Sequence, residues 1–370
     1  MKKVLTAAAA LAVGATGAYA GGIERTTQSV GVLFEEGNYA EFSFASVSPD
    51  VSGTSTVFSG FSGASSGDMA ETYTKAGAAM KIQISDRLSA AVIFDQPFGA
   101  DVNYGDADDP FYFAVNSTAV LNTTAITALL KYTSSEYASV YGGLRYQSMD
   151  AVASIPFVDN YAVTGEKDSG VGYVLGAAYE KPDIALRVAL TYNSAIDHAF
   201  DTSETSDTFG TRASTTEVST PQSVNLEVQS GIAADTLLFG SVRWVDWSDF
   251  DISPADYGLL TSGNSLVSYD DDTVTYSIGL GRKFSEMWSG AVTVDYEETL
   301  GGFTSNLGPT DGRLSVGLGG SYTNGNVKVS GGISYSWIGE ADTTLNDINA
   351  ASNFEDNTGL GIGFKIGYTL

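Results

Sequence analysis

The sequence predicts an all-β protein: a fourteen-stranded antiparallel transmembrane β-barrel. Three observations predict it. Segments of about ten residues alternate apolar with polar or small residues, the period of a strand with one greasy and one wet face. Short turns and long loops alternate along the chain. An export signal stands at the N-terminus, and no later apolar run is long enough to cross a bilayer as a helix.

The clearest unit is residues 222–247. Val224, Leu226 and Val228 alternate with Asn225, Glu227 and Gln229, and Leu238, Gly240, Val242 and Trp244 alternate with Phe239, Ser241 and Arg243. The link between the two arms is short, so they form a hairpin. A long acidic stretch follows, and the rest of the chain repeats this unit.

From the N-terminus, Lys2 and Lys3 precede an apolar run that closes on Ala18-Tyr19-Ala20. Basic region, short apolar region and small-x-small site together make residues 1–20 a signal peptide cleaved after Ala20. Residues 21–37 are irregular but carry Ile23, Val30, Val32, Leu33 and Phe34, so they pack against something; residues 38–370 form the barrel. Strands are expected at 38–48, 71–85, 88–96, 123–133, 137–147, 171–180 and 183–193. The loop from 194 to 221 is expected to be the longest, with His198 in it. Strands eight and nine are the 222–247 hairpin, and the rest lie at 273–283, 287–296, 313–322, 326–337 and 358–370. An even strand number with loop lengths segregated to the two sides is an outer-membrane pattern; a soluble sandwich has no reason for it. Trp244, Trp247, Trp288 and Trp337 are expected in aromatic girdles.

The chain has no cysteine, so hydrogen-bonded structure and packing hold it together. Its net charge of −26, or −28 without Lys2 and Lys3, excludes general nucleic-acid binding. A charge facing hydrocarbon is costly, so the apolar faces point outward. Lys81, Lys131, Arg145, Arg187, Arg243, Lys283, Arg313, Lys328 and Lys365 then all fall on the inward register. These cations either bind an anionic head group or hydrogen-bond across the lumen to brace the barrel. The acidic run Asp270-Asp271-Asp272 matches no calcium-loop spacing, and no metal or other cofactor is expected. His198 is the only histidine, and HExxH, GxSxG and Walker motifs are absent, so the chain does not read as an enzyme.

At this point the chain resembles the FadL/TodX family of outer-membrane transporters for long-chain fatty acids and aromatic hydrocarbons. The resemblance spans the mature chain. It is carried by Leu33-Phe34-Glu35 with Gly37-Asn38-Tyr39-Ala40-Glu41, by Asp95-Gln96-Pro97-Phe98-Gly99, by Tyr141-Gly142-Gly143-Leu144-Arg145, by Ala177 to Pro182, and by Thr220-Pro221-Gln222-Ser223-Val224. The resemblance implies a lumen plugged by a hatch at residues 21–37, including Leu33, Phe34, Glu35 and Gly37. It also implies capture of a hydrophobic ligand by the outer loops, and sideways release through the wall at a kink formed by Pro97, Phe98 and Gly99. Two departures stand out: Glu35-Glu36-Gly37 where many members have Asn-Pro-Ala, and a C-terminal Leu370 where an aromatic is usual.

The expected function is passive uptake of hydrophobic molecules across a bacterial outer membrane, above all long-chain fatty acids. Arg145, Arg187 and Arg243 are the candidate carboxylate-binding residues. The expected partners are that ligand, membrane lipid and lipopolysaccharide, with the barrel a monomer. A diffusion porin for small polar solutes, or an adhesin or receptor acting through its loops, are the alternatives.

Overall fold

The computed structural model describes residues 22–105, 109–345 and 348–370. The signal peptide expected at 1–20 lies outside the described residues.

Fourteen antiparallel strands form one sheet closed on itself. β1 (Tyr39–Asp50) pairs on one side with β2 (Tyr73–Ser85) and on the other with the last strand, β14 (Thr358–Thr369), from Tyr39 opposite Thr369 to Asp50 opposite Thr358. β3 is broken into Leu88–Asp95 and Gly99–Asn103. β4 (Thr118–Thr133), β5 (Ala138–Ile155) and β6 (Tyr161–Lys181) follow. β7 is broken into Leu186–Asn193 and Ile196–Ser206, and β8 into Gly210–Thr220 and Ser223–Ala233. β9 (Thr236–Val245), β10 (Thr273–Lys283), β11 (Trp288–Glu297), β12 (Arg313–Asn324) and β13 (Val327–Ile338) complete the wall, each strand paired with its neighbours in sequence.

Closure leaves no open edge, which hydrocarbon demands because it offers no partner to an unpaired amide. The outer surface carries the apolar side of each alternation. On β14, Leu360, Ile362, Phe364, Ile366 and Tyr368 are all exposed, and the glycines between them face inward. Trp288, Trp337, Tyr296 and Tyr335 are exposed on the outer face as the girdle reading requires. A closed barrel with such a band is a membrane-spanning architecture.

The structure corrects four expectations. β3 does not end at Pro97 but resumes at Gly99 and pairs on with β4. β5 and β6 run well past the expected ends, to Ile155 and back to Tyr161. Residues 194–221 are not a loop: Ile196–Ser206 and Gly210–Thr220 pair residue for residue and extend β7 and β8. His198 therefore sits on a strand, and is buried. Trp247 is not in a girdle. It is fully buried inside, edge-on to Phe98 at 5.8 Å and to Phe250 at 5.4 Å.

At the long-loop end, Gly53–Ser55, Phe303–Thr304, Ala341–Thr344 and Ala350–Phe354 form a small separate sheet. Beneath it Tyr104 and Tyr112 stack at 5.6 Å among Val47, Met69 and Phe354. Burial pushes the Tyr112 phenol up to about 12, as expected of a dry cluster.

Candidate functional site

Thirteen residues of the N-terminal segment, 23–35, run among the inward-facing side chains of strands far apart in sequence. At one end Glu24 meets Arg243 of β9. The Arg243 Nε donates to both carboxylate oxygens of Glu24, at 2.9 and 3.1 Å, and a second nitrogen also reaches it. Arg243 donates as well to Ser223 at 3.1 Å. Both charges are buried, so each depends on the other for compensation. Asn225 Nδ2 donates to the Thr27 carbonyl at 2.9 Å, and Lys75 Nζ to the Arg25 carbonyl at 2.8 Å.

At the other end a 3-10 turn, Gly31–Phe34, buries Val32 and Leu33 against β3, β4, β5 and β6 residues such as Ala91, Leu129 and Val174. The Phe34 ring lies 4.2 Å from Lys131 Nζ and 4.6 Å from the Arg187 guanidinium, and edge-on to Tyr141 at 5.8 Å. Two cations on one ring are a strong anchor for a single side chain. Lys81 donates to the Glu35 carbonyl. Gly37 takes a left-handed conformation, φ 60°, that turns the chain into β1.

The break in β3 belongs to the same assembly. The β2–β3 ladder stops at Ala78 opposite Phe94, so residues 73–77 of β2 lack a strand partner on that side. Pro97 has no amide to give a ladder, and its carbonyl instead accepts from the backbone of Arg25 at 2.7 Å and Thr26 at 3.2 Å. Gly99 N donates to the Ile23 carbonyl at 2.8 Å. A Cβ on Gly99 would stand 2.4 Å from the Arg25 guanidinium, which crosses this spot to reach Asp101. Phe98 turns inward and is buried against Trp247. Pro97, Phe98 and Gly99 thus hold the N-terminal segment to the wall at the point where the wall is interrupted.

Residues of this segment line two cavities. One, of about 60 Å³, is lined almost wholly by carbon, including Ile23, Leu121, Ala153, Val163, Phe200 and Leu266. Loop 246–272 covers it with Ile252, Pro254 and Val267. That loop is clasped by Glu204. Its buried carboxylate accepts from Tyr161 Oη at 2.8 Å and Ser214 Oγ at 2.6 Å. It also accepts from the backbone amides of Asp256 at 2.8 Å and Tyr257 at 3.3 Å, at the start of the short helix α1 (Ala255–Leu260). Unsatisfied first-turn amides are natural partners for a carboxylate. Burial pushes the Tyr257 phenol up to about 12.

The second cavity, of about 420 Å³, is mixed in character. Glu35, Glu41, Lys75, Asp95, Arg187, Glu227, Arg243 and Lys365 line it together with Phe34 and Phe94. Lys365 pairs with Glu41 at 3.2 Å.

Of the three arginines expected to meet a carboxylate, Arg187 and Arg243 both line the larger cavity, and Arg145 does not. Arg243 is paired with Glu24, Arg187 stacks on Phe34, and Arg145 donates to Thr127 at 2.9 Å and Asn193 at 3.1 Å. None of the three lines the carbon-walled pocket. Glu24, Glu204 and Phe200 were not singled out from sequence. Glu24 is one of three acids in residues 21–37, with Glu35 and Glu36, and no local pattern sets it apart from them. Among the described residues no group of three or more His, Cys, Asp or Glu side chains is placed to hold a metal. Asp272 accepts from Trp244 Nε1 at 3.0 Å and Ser248 Oγ at 2.8 Å.

The fold and cavities define a closed membrane barrel with a carbon-lined pocket inside. No protein-family profile and no curated protein sequence matches the chain. Solved structures do. A FadL homologue from Pseudomonas aeruginosa superposes with a TM-score of 0.73 at 14% identity, covering 91% of each chain. The Pseudomonas putida toluene transporter TodX gives 0.62 at 12% identity over 91% of each, and the Ralstonia pickettii toluene transporter TbuX 0.61 at 13% over 90% of each. At these identities the likeness establishes a shared fold, the one that the sequence resemblance implied.

Proposed function

We propose that the chain is a bacterial outer-membrane channel of the FadL/TodX kind for passive uptake of small hydrophobic molecules. The carbon-lined pocket beneath the outer loops supports this reading best. A polar solute gains nothing there, whereas an apolar molecule leaves water at a gain of roughly 25 cal/mol per Å² of surface buried. In this reading residues 21–37 are the hatch: ties from Glu24 to Glu35 hold it across the lumen and bar free passage of water and ions. The ligand leaves sideways at the β3 break, because passing directly into lipid spares an apolar molecule a watery path. The lack of a lining cation in the pocket favours an uncharged ligand. The toluene transporters of the same fold agree with that. A long-chain fatty acid is the second reading, favoured by Arg187 and Lys365 on the larger cavity, where a carboxylate would find a counter-charge.

The test is uptake of toluene and of oleate by cells lacking their own such transporters, with surface folding checked by heat-modifiable gel mobility. Toluene uptake without oleate uptake supports the first reading, and oleate uptake the second. A folded barrel that takes up neither and conducts ions steadily in a planar bilayer is a porin.

A further inference from the structure

The wall is interrupted a second time, between β6 and β7. Below the interruption Val174 pairs with Asn193, and above it Gly165 pairs with Thr202. The register is the same on both sides, yet residues 166–172 and 195–201 form no ladder, the last backbone bond running from the Ser194 amide to the Tyr173 carbonyl at 3.0 Å. The reason is pleat phase. On β7 the inward set is Ala189, Thr191 and Asn193, then switches at Ser194-Ala195 to Ile196, His198 and Phe200. On β6 the switch comes elsewhere, at the bulge between the Met149–Asp168 and Ala151–Gly165 pairs. Between the two switches, facing residues point to opposite sides of the sheet, which defeats regular pairing.

Side chains close the seam in place of the ladder. Asp168 accepts from the Ala199 amide at 3.1 Å and faces His198 Nδ1 at 3.3 Å, and Ser194 Oγ accepts from the Tyr173 amide at 2.9 Å. The Ile196 side chain fills the slot left by two glycines: a Cβ on Gly170 or Gly172 would lie 2.5 or 2.6 Å from it. Outside, the seam begins at exposed Tyr173, whose ring is 5.8 Å from Tyr192, and rises past Asp197 and Asp201. That places it at the boundary between hydrocarbon and water. Inside, Val163, Gly165, Phe200 and Thr202 flank it, and all four line the carbon-walled pocket.

We propose that this seam is a second lateral port. Through it an uncharged apolar molecule dissolved at the outer membrane boundary enters the pocket directly, when Ile196 and the Asp168 contacts move aside. It is an entrance at the height of the pocket, distinct from the break in β3. The proposal rests on the uptake reading above.

The chain is free of cysteine, so Lys167→Cys with Ala199→Cys, both exposed, can be joined across the seam by a short bis-maleimide. Ser203→Cys with Ala213→Cys, paired in the intact β7–β8 ladder, is the control. Toluene uptake is expected to fall to the level of cells lacking the protein when the first pair is joined, and to stay unchanged when the second is. Amide hydrogen exchange is expected to be faster at 195–200 than at 187–192. Uptake unaffected by closing the seam, or equal protection of the two stretches in a protein that takes up toluene, overturns the port alone. No uptake by either unjoined protein overturns the uptake reading, and the port with it.

Discussion

Replacing Glu24 by alanine tests what ties the N-terminal segment to the strands it touches. Arg243 is buried, and its Nε donates to both Glu24 oxygens. Removing one member of a buried pair costs about 3–5 kcal/mol, because the other charge remains without compensation. At 1.4 kcal/mol per tenfold, that shifts the balance between docked and released segment by roughly two to three and a half powers of ten. The barrel itself, held by ladders that do not involve Glu24, stays folded. The expected result is a heat-modifiable barrel with steady ion conductance in a planar bilayer and trypsin cleavage after Arg25, neither of which is expected of the parent. Glu24→Met with Arg243→Met removes both charges and is expected to return most of the closure, since an apolar pair of similar volume replaces a buried ion pair at little cost. An E24A barrel as silent and as trypsin-resistant as the parent would refute the argument that this pair carries the docking.

Glu204→Ala leaves the Asp256 and Tyr257 amides and the Tyr161 hydroxyl without their acceptor, at about 1–3 kcal/mol for each group that stays buried. Amide exchange at Ala255–Leu260 is expected to accelerate while β7 and β8 below it keep their protection. Gly99→Ala sets a Cβ 2.4 Å from the Arg25 guanidinium and is expected to dislodge it from Asp101. Trypsin then cuts after Arg25 more readily, which a time course on the folded barrel measures. Phe34→Ala removes a ring that two cations share, worth about 0.5–2 kcal/mol for each contact; a higher open probability in single-channel recordings is the expected outcome. Ile362→Arg puts a charge on the lipid face, at about 2–4 kcal/mol near mid-membrane. Its folded fraction on a heat-modifiable gel is expected to fall.

Strands β10 to β14 were legible in sequence almost to the residue, because hydrocarbon outside and a wet lumen inside impose a strict alternation on each of them. Leu360, Ile362, Phe364, Ile366 and Tyr368 can be read in no other register. The upper parts of β5 to β8 escaped that reading for the same physical reason. Above the lipid the outer face meets water, so Asp197, Ala199 and Asp201 alternate with the buried Ile196, His198 and Phe200 without an apolar outer band to mark a strand. The inward cations were legible too, as charges that lipid forbids on the outer face. Their partners were not. Arg243 finds Glu24 from 219 positions away, and Arg187 and Lys131 converge on Phe34 from different strands. Sequence by itself therefore determined the barrel, its strand number and which side of each strand meets lipid, because period and solvent fix these locally. Only the tertiary structure decided that Trp247 lies inside, what each arginine pairs with, and where the pocket and the second break in the wall fall. Those depend on which distant strands a short N-terminal segment touches, and no local pattern encodes that.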